Sequence, residues 1–594
     1  MTATQTDKSA PGSAAIPEAR GSQPHASREA MDAALADLVR RKDAWVAVDI
    51  PARVALLSEL IDTCLAACPR WIAAAVEAKG IRPGTPPEGE EWIAGPALVL
   101  RNLRLLAQSL EDVERYGHPR LPGPPRRRPD GQVVAPVFPA SFWDKAFFPG
   151  FTAEVWMEPG VTLEGLPETQ AVAYRAKRGL PPEKLAGRGK VALVLGAGNV
   201  ASIGPMDALY KLFVEDQVVV LKMNPVNEYL GPIFAEALRP LVDRGFLRVV
   251  LGGAAEGAYL CRHDAVDEIH ITGSDKTHDA IVYGTGPEGR QRREERRPLI
   301  AKRVTSELGN VSPVIVVPGP WDEGDLAYQG TNLASMLGNN AGFNCNALRV
   351  IVQHKGWAGR APLLDAVRAV MRRTPPRVAY YPGAEDRQKA FVAAHPEADR
   401  FGEAGGGRLP WTLVADVDPA RRDDICFTTE AFCGVCAETG LEAATPAAFL
   451  DRAVEFCNDT LWGTLNAAIV VHPRSLEDPE VAAALDRAIA RLRYGTVAIN
   501  HWPAIGYALV ATTWGAHPGH ELHDIGSGIG VVHNGFLFDR PQKSIVRGPF
   551  RVKPTPPWFV THRTCHQLGP KLARFEARPS LLKLPGLLWS ALRG

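Results

Sequence analysis

The chain has 594 residues, 46% hydrophobic and 22% charged, a globular makeup too apolar for disorder. Lys and Arg number 67 against 66 Asp and Glu, and a net charge of +1 supplies no field to recruit nucleic acid or an acidic membrane. Nine cysteines are too sparse for a disulfide scaffold, and no apolar run nears the roughly 18 residues of a membrane span, so a reduced, cytoplasmic protein is expected.

Residues 1–28, rich in Ala, Ser, Gly, Pro and Thr, lack the apolar stretch of a secretory signal and are expected to form a disordered tail. From 29 to 144 the pattern is helical, as in MDAALADLVRRKDAWVAV and ALLSELIDTCLAAC, until RLPGPPRRRPDGQ (120–132) breaks it. FTAEVWMEPGVTL (151–163) alternates as a strand or hairpin does. Then come short β-rich runs: VALVL (191–195), QVVVLK (217–222), LRVVL (247–251), DEIHIT (267–272) and SPVIVV (312–317). Helical stretches separate most of them, and a second such series runs from Arg349 to VAIN (497–500). Alternation of this kind predicts an α/β fold with two tandem open α/β units, each built on a parallel sheet.

VALVLGAGNVAS (191–202) matches G-x-G-x-x-A, a strand and glycine turn that could seat a pyrophosphate on a helix N-terminus. An ordinary dinucleotide fingerprint also wants an acid at the end of the next strand. That strand ends VVVLKMNP, with Lys222 in the place, so a plain tight turn is the competing reading.

More specific is a series in fixed order: LGAGNVAS, VVVLKMNP, HITGSDKT (270–277), TSELGNVSP (305–313), NNAGFNCNALRV (339–350), TTEAFCGV (428–435) and YGTVAINHW (494–502). The set resembles the aldehyde dehydrogenase superfamily, with its F-T-G-S, L-E-L-G-G-K-S-P, N-x-G-Q-x-C and E-I-F-G-P-V motifs. The resemblance implies an aldehyde dehydrogenase-like fold: a coenzyme domain at 171–303, a catalytic domain at 304–528, and a small β oligomerisation element. That element joins a hairpin at 145–170 to a strand within 529–552. By the same resemblance the activity is oxidation of an aldehyde with NAD or NADP, in a homodimer or homotetramer.

Carried over by position, Cys345 is the nucleophile, Glu307 the general base and Asn199 the amide that meets the oxyanion. A nucleophilic thiol is expected in a partly exposed, electropositive setting. Lys222 and Glu430 match the groups holding the cofactor's ribose hydroxyls, and Asn224 joins the cofactor set. Thr272, Gly273 and Ser274 form the turn nearest its phosphates, where only glycine is expected to let the backbone approach. Phe432 matches a ring beside the nicotinamide. Against the family pattern, Phe343 stands for Gln, Cys433 and Gly434 for Gly and Pro, and Pro225 for the acid that grips the adenosine ribose. Loss of that acid leaves NAD and NADP equally open. A CoA-acylating dehydrogenase or acyl-CoA reductase is the enzymatic alternative, which retention of Glu307 disfavours; a catalytically weak scaffold is the other.

Three features have plainer readings. His517, His520 and His523 have metal-like spacing without a companion ligand cluster, so a surface loop and no metal is expected. Cys433 and Cys436 read as packing cysteines, and GRQRREERRPLIAKR (289–303) as a solvated insertion instead of a nucleic-acid patch. At 553–594 the chain is basic and amphipathic: Leu581, Leu582, Leu584, Leu587, Leu588, Trp589 and Leu592 could meet lipid or dock on the protein itself.

Overall fold

The computed structural model describes residues 11–594. Its first long elements are the helices Arg28–Ala47, Ile50–Ala78 and Leu98–Tyr116. The Ser27 hydroxyl and Asp49 carboxylate cap the first two by accepting from the N–H groups of Ala30 and Ala52. The third stops where Gly117 turns left-handed, at φ 86°. Leu35, Leu38 and Trp45 of the first helix share a buried cluster with Val219 and Leu247 of a six-stranded sheet.

In that sheet the spatial order is Gly528–Ile529, Arg303–Leu308, Glu268–Gly273, Val191–Leu195, Val218–Lys222 and Leu247–Val250. Every pairing is parallel except that of Gly528–Ile529. Val191–Leu195 and Val218–Lys222 are buried at each position, as parallel strands covered on both faces must be.

An eleven-stranded sheet follows. From Trp411–Val414 through Val435–Leu441, Val350–His354, Pro313–Val316, Asn466–Val470 and Thr496–Ile499 to Pro541–Arg547 it is parallel. Thr152–Met157, Val133–Phe138 and Arg126–Arg127 then extend it antiparallel.

Several boundaries differ from the sequence expectation. The strand Arg303–Leu308, which carries Glu307, completes the first sheet, so a division at 304 cuts through it. Gly528–Ile529 returns from the far end of the expected catalytic unit to pair beside it. The hairpin begins at Val133 and not at 145. Pro136 obscured that strand, since proline cannot donate to a ladder; the register slips between Pro136 and Phe138, which accommodates it.

The expected disordered tail is also corrected, over residues 11–27. Gly12–Ser13 pairs in parallel with Thr429–Glu430. Backbone N–H groups hold the rest: Ser13 to Asp275 Oδ1 at 3.0 Å, Gln23 to Glu228 Oε1 at 2.7 Å and Ala26 to the Leu251 carbonyl at 2.9 Å.

At the other end, helix Cys565–Ala577 packs on Pro86–Trp92 and Leu98–Tyr116 of its own chain. Arg101 pairs there with Asp144 at 2.9 Å and Glu576 at 3.2 Å. Beyond it, the turn Leu581–Lys583 leaves Leu582 94% exposed, and helix Leu584–Leu592 buries Leu587 and leaves Trp589 62% exposed. No described helix is long and apolar enough to cross a membrane.

Candidate active site

The carboxyl ends of Val191–Leu195, Val218–Lys222, Glu268–Gly273 and Arg303–Leu308 open on a cavity of about 780 Å³. Open parallel sheets place ligands at this edge. All ten residues singled out from the sequence line it: Asn199, Lys222, Asn224, Thr272, Gly273, Ser274, Glu307, Cys345, Glu430 and Phe432.

Local structure explains each position. Lys222 ends its strand, and two residues on the Asn224 side-chain Oδ1 accepts from the Val226 N–H at 3.0 Å. After Leu195 the chain loops until Ile203 before a helix begins, so the glycine turn does not lead directly into a helix N-terminus. At Gly198 a Cβ would lie 2.7 Å from Val226 and 2.8 Å from Asn224 Oδ1, so the close approach of the next loop requires glycine there. The Thr272 hydroxyl donates to Asp207 at 2.7 Å, and Ser274 caps Asp275–Val282. At Gly273 a Cβ would meet nothing nearer than 3.7 Å. Its glycine is therefore not forced by crowding within the chain, contrary to expectation; a side chain would instead take up cavity space.

Cys345 follows a tight left-handed turn, with φ 49° at Asn340, 56° at Ala341 and 81° at Gly342. Only glycine fits the last of these, because a Cβ would sit 2.6 Å from the Cys433 carbonyl. The buried Arg349 guanidinium braces the turn, donating to Gly342 O at 2.8 Å and Cys433 O at 2.7 Å. Asn199 Nδ2 donates to Phe343 O at 2.9 Å, which ties the amide to the nucleophile's loop and leaves its second N–H free.

Sequence reading missed a buried network behind Asn199. Lys79 Nζ donates to Glu91 at 2.8 Å, Asn340 at 3.1 Å and the Asn199 carbonyl at 3.0 Å. Tyr380 OH donates to that carbonyl too, at 2.9 Å. It also missed Trp514, whose indole Nε1 donates to Glu307 Oε1 at 2.9 Å. Neither residue stands in a motif, so no local signal marked them.

The electrostatics reverse one expectation. Cys345 is half-buried, and its thiol is pushed well above its ordinary value by burial and then by the charges of Glu307 and Glu430. The setting is acidic, not electropositive. Burial lifts Glu307 to about 7, with the Trp514 and Cys345 contacts opposing, and lifts Glu430 to about 8. Glu307 is thus a carboxylate near neutrality, set beside a thiol that needs a base.

Residues 199–375 match the aldehyde dehydrogenase family. The chain is 29% identical over 306 residues to 4-trimethylaminobutyraldehyde dehydrogenase of Oryzias latipes, covering 48% of this chain and 54% of that one. With the human protein of the same name it is 34% identical over 138 residues, 23% and 24% of the two chains. The matched parts span about a quarter to a half of the curated relatives' length. Among solved structures, the Mycobacterium tuberculosis aldehyde dehydrogenase complexed with NAD+ superposes with a TM-score of 0.58 at 18% identity, covering 88% of this chain and 91% of that one. The NADP-dependent glyceraldehyde-3-phosphate dehydrogenase of Bacillus halodurans, complexed with NADP, gives 0.55 at 18%, covering 90% and 95%. Residues 199–375 therefore carry the pattern of the aldehyde dehydrogenase family, and the chain has the aldehyde dehydrogenase fold.

Within this aldehyde dehydrogenase fold, Phe343 is buried against Tyr380, Tyr381 and Phe432, with centroids 4.9, 5.8 and 6.1 Å away. An apolar residue fits there because the loop's polar contacts are made by Asn340, Asn344 and Arg349. Cys433 and Cys436 are both buried, in separate core clusters. His520 contacts Thr464 at 2.6 Å while His523 sits by Glu521, so these two histidines of the triplet have separate partners. The basic run forms helix Gly286–Glu294 and an exposed stretch after it.

Proposed function

We propose that the protein oxidises an aldehyde to a carboxylic acid with a nicotinamide dinucleotide, through a thioester on Cys345. The observation that carries this reading is Cys345 beside Glu307 at one end of a cavity that runs to Lys222. The cavity suits such a cofactor. At about 780 Å³ it lies within the roughly 300–1,000 Å³ of small-molecule sites. Among the described residues, Glu430 Oε1 is buried without a hydrogen-bond partner. Lys222, nine-tenths buried, lines the same space. Lys222 and Glu430 would hold the ribose hydroxyls, Thr272, Gly273 and Ser274 the phosphates, and Phe432 the nicotinamide.

The Cys345 sulfur attacks the carbonyl carbon as its proton passes to Glu307, since a resting thiolate is disfavoured here. Asn199 Nδ2 and the Cys345 backbone N–H donate to the oxygen as it becomes anionic, a term typically of about 3–4 kcal/mol per donor. The bound dinucleotide supplies a hydride acceptor. With hydride lost to that acceptor and the first proton released from Glu307 to solvent, Glu307 takes a proton from water, whose oxygen attacks the thioester carbonyl, and the thiolate leaves to be reprotonated. Lys79 and Tyr380 act as positioning residues by fixing the loop that presents Asn199.

Nine unpaired cysteines favour a reducing, cytoplasmic setting. A homodimer or homotetramer would form through the hairpin and the strand Pro541–Arg547.

The test is growth of NAD(P)H absorbance with short, long and aromatic aldehydes, with and without CoA. Growth without CoA, lost in Cys345→Ala while that variant still binds dinucleotide, is expected. Strict CoA dependence would replace water as the acyl acceptor, and activity retained in Cys345→Ala would remove the central assignment.

A further inference from the structure

Assuming the dinucleotide reading above, the hydride acceptor must lie at the Cys345 end of the cavity. The opposite end, lined by Lys222, Gly253, Ala254, Gly257 and Cys261, then takes the adenosine. We infer that Glu18, carried on the N-terminal segment, is a specificity residue there, admitting a cofactor with a free adenosine 2′-hydroxyl and rejecting a 2′-phosphate.

The segment is built into the cavity wall. Ser13, Ile16, Pro17, Glu18 and Ala19 all line it. The backbone bonds of Ser13, Gln23 and Ala26 hold the segment on both sides of Glu18. Glu18 Oε1 accepts from the backbone N–H of Ala254 at 2.7 Å. Ala254 is the first residue of helix Ala254–Arg262, the end of a helix where an anion is stabilised. A carboxylate of the chain itself thus fills the anion seat nearest Lys222.

Charge on the Lys222 ammonium points the same way. Burial lowers its pKa to about 8, opposed by the carboxylates of Glu256, Glu18 and Glu228. The loop Met223–Pro225 that follows Lys222 contains no acid of its own. A ribose hydroxyl can donate to a carboxylate and accept from the ammonium. A phosphate would meet an ammonium already countered by three acids and a helix end already occupied.

The experiment measures NADH and NADPH dissociation constants, by quenching of protein fluorescence, for the full chain and for Glu18→Gln. The amide keeps an acceptor for the Ala254 N–H and removes only the charge. Wild type should bind NADH more tightly than NADPH. Glu18→Gln should tighten NADPH on the order of tenfold, with NADH changed less than about twofold, as expected for one charge removed beside a phosphate. A second variant, Glu18→Lys, should shift preference further toward NADPH. An unchanged NADPH-to-NADH ratio in both variants overturns the inference. Equal tightening of both cofactors also overturns it, because the segment would then be a plug. If wild type binds neither dinucleotide, the reading of the cavity falls and takes this inference with it; a bound NADH with an unmoved ratio removes only the role of Glu18.

Discussion

Trp514 Nε1 donates to Glu307 Oε1 at 2.9 Å across 207 residues of sequence and so fixes the direction of the candidate base. The bond also favours the ionised carboxyl, against the burial that raises it to about 7. Trp514→Phe keeps a ring in a site that is 1% exposed and removes the donor. The acid limb of the kcat–pH profile should move up by on the order of 0.5–1 pH unit. Activity lost at pH 7 should return near pH 9; an unmoved limb would sever Trp514 from the base.

Glu307→Gln should slow both half-reactions, since the same carboxylate takes the Cys345 proton and then the water proton. We expect NAD(P)H to form without a burst, at a rate lowered by about 10²–10⁴-fold, the usual scale of general base catalysis. Stopped-flow absorbance checks this, and an unslowed steady state would count against Glu307.

Stability should carry a matching pH signature. Glu307 and Glu430 are acids raised by burial to about 7 and about 8 in the folded state, above a value of 4.5 when unfolded. The fold therefore prefers them protonated. The resulting stability is present below pH 4.5 and is lost as pH rises through the folded values. In the dinucleotide-free protein, Glu430→Gln should raise stability at pH 8.5 by on the order of 1–3 kcal/mol and leave it nearly unchanged at pH 4.5. Denaturant titrations at the two pH values decide this; equal effects at both would show that Glu430 ionises freely.

Lys79→Met should be costly, because it leaves Glu91 charged and buried at 5% exposure. Breaking such a pair typically costs about 3–5 kcal/mol. Lys79→Met/Glu91→Leu should recover most of that loss. Turnover should stay low in the double variant, since the Asn199 carbonyl has still lost its ammonium donor. Recovery of both quantities together would reduce Lys79 to a structural role.

The C-terminal region divides at Pro579. Ending the chain at Lys553 removes Glu576 and leaves Arg101 with Asp144 alone, so marked destabilisation is expected. Ending it at Ser580 keeps Glu576 and deletes Leu581, Leu582, Leu588, Trp589 and Leu592, all exposed. That form should fold as the full chain does, by calorimetry. Co-sedimentation with anionic vesicles separates the two readings of this end: loss of binding on truncation is the mark of lipid contact, and equal solubility of both forms is the mark of a segment that docks on the protein itself.

What the sequence made legible was whatever is written locally. The coenzyme-sheet strands are continuous apolar runs, and the turns bearing Cys345 and Glu430 are short motifs with their own glycines. Contacts that join distant stretches were not legible. Lys79 reaches Asn199 and Asn340 from the end of a helix, and Trp514 reaches Glu307 from a two-residue strand. Pro136 disguised a strand whose bulge absorbs it. Residues 11–27 have little apolar periodicity because backbone N–H groups and distant acids hold them, and composition does not report such bonds.

The pairing of Gly12–Ser13 with Thr429–Glu430 also sets a schedule for biosynthesis. The first strand of that pair leaves the ribosome early, and its partner follows roughly 400 residues later, which at about 5–20 residues per second is about 20–80 s. Until then the stretch around Ile16 and Pro17 is held only by its bonds to Glu228, Leu251, Ala254 and Asp275 of the coenzyme unit. The mouth of the nucleotide site is consequently among the last parts of the molecule to close, after both sheets have most of their strands, and a nascent chain released early would carry a coenzyme sheet without its rim.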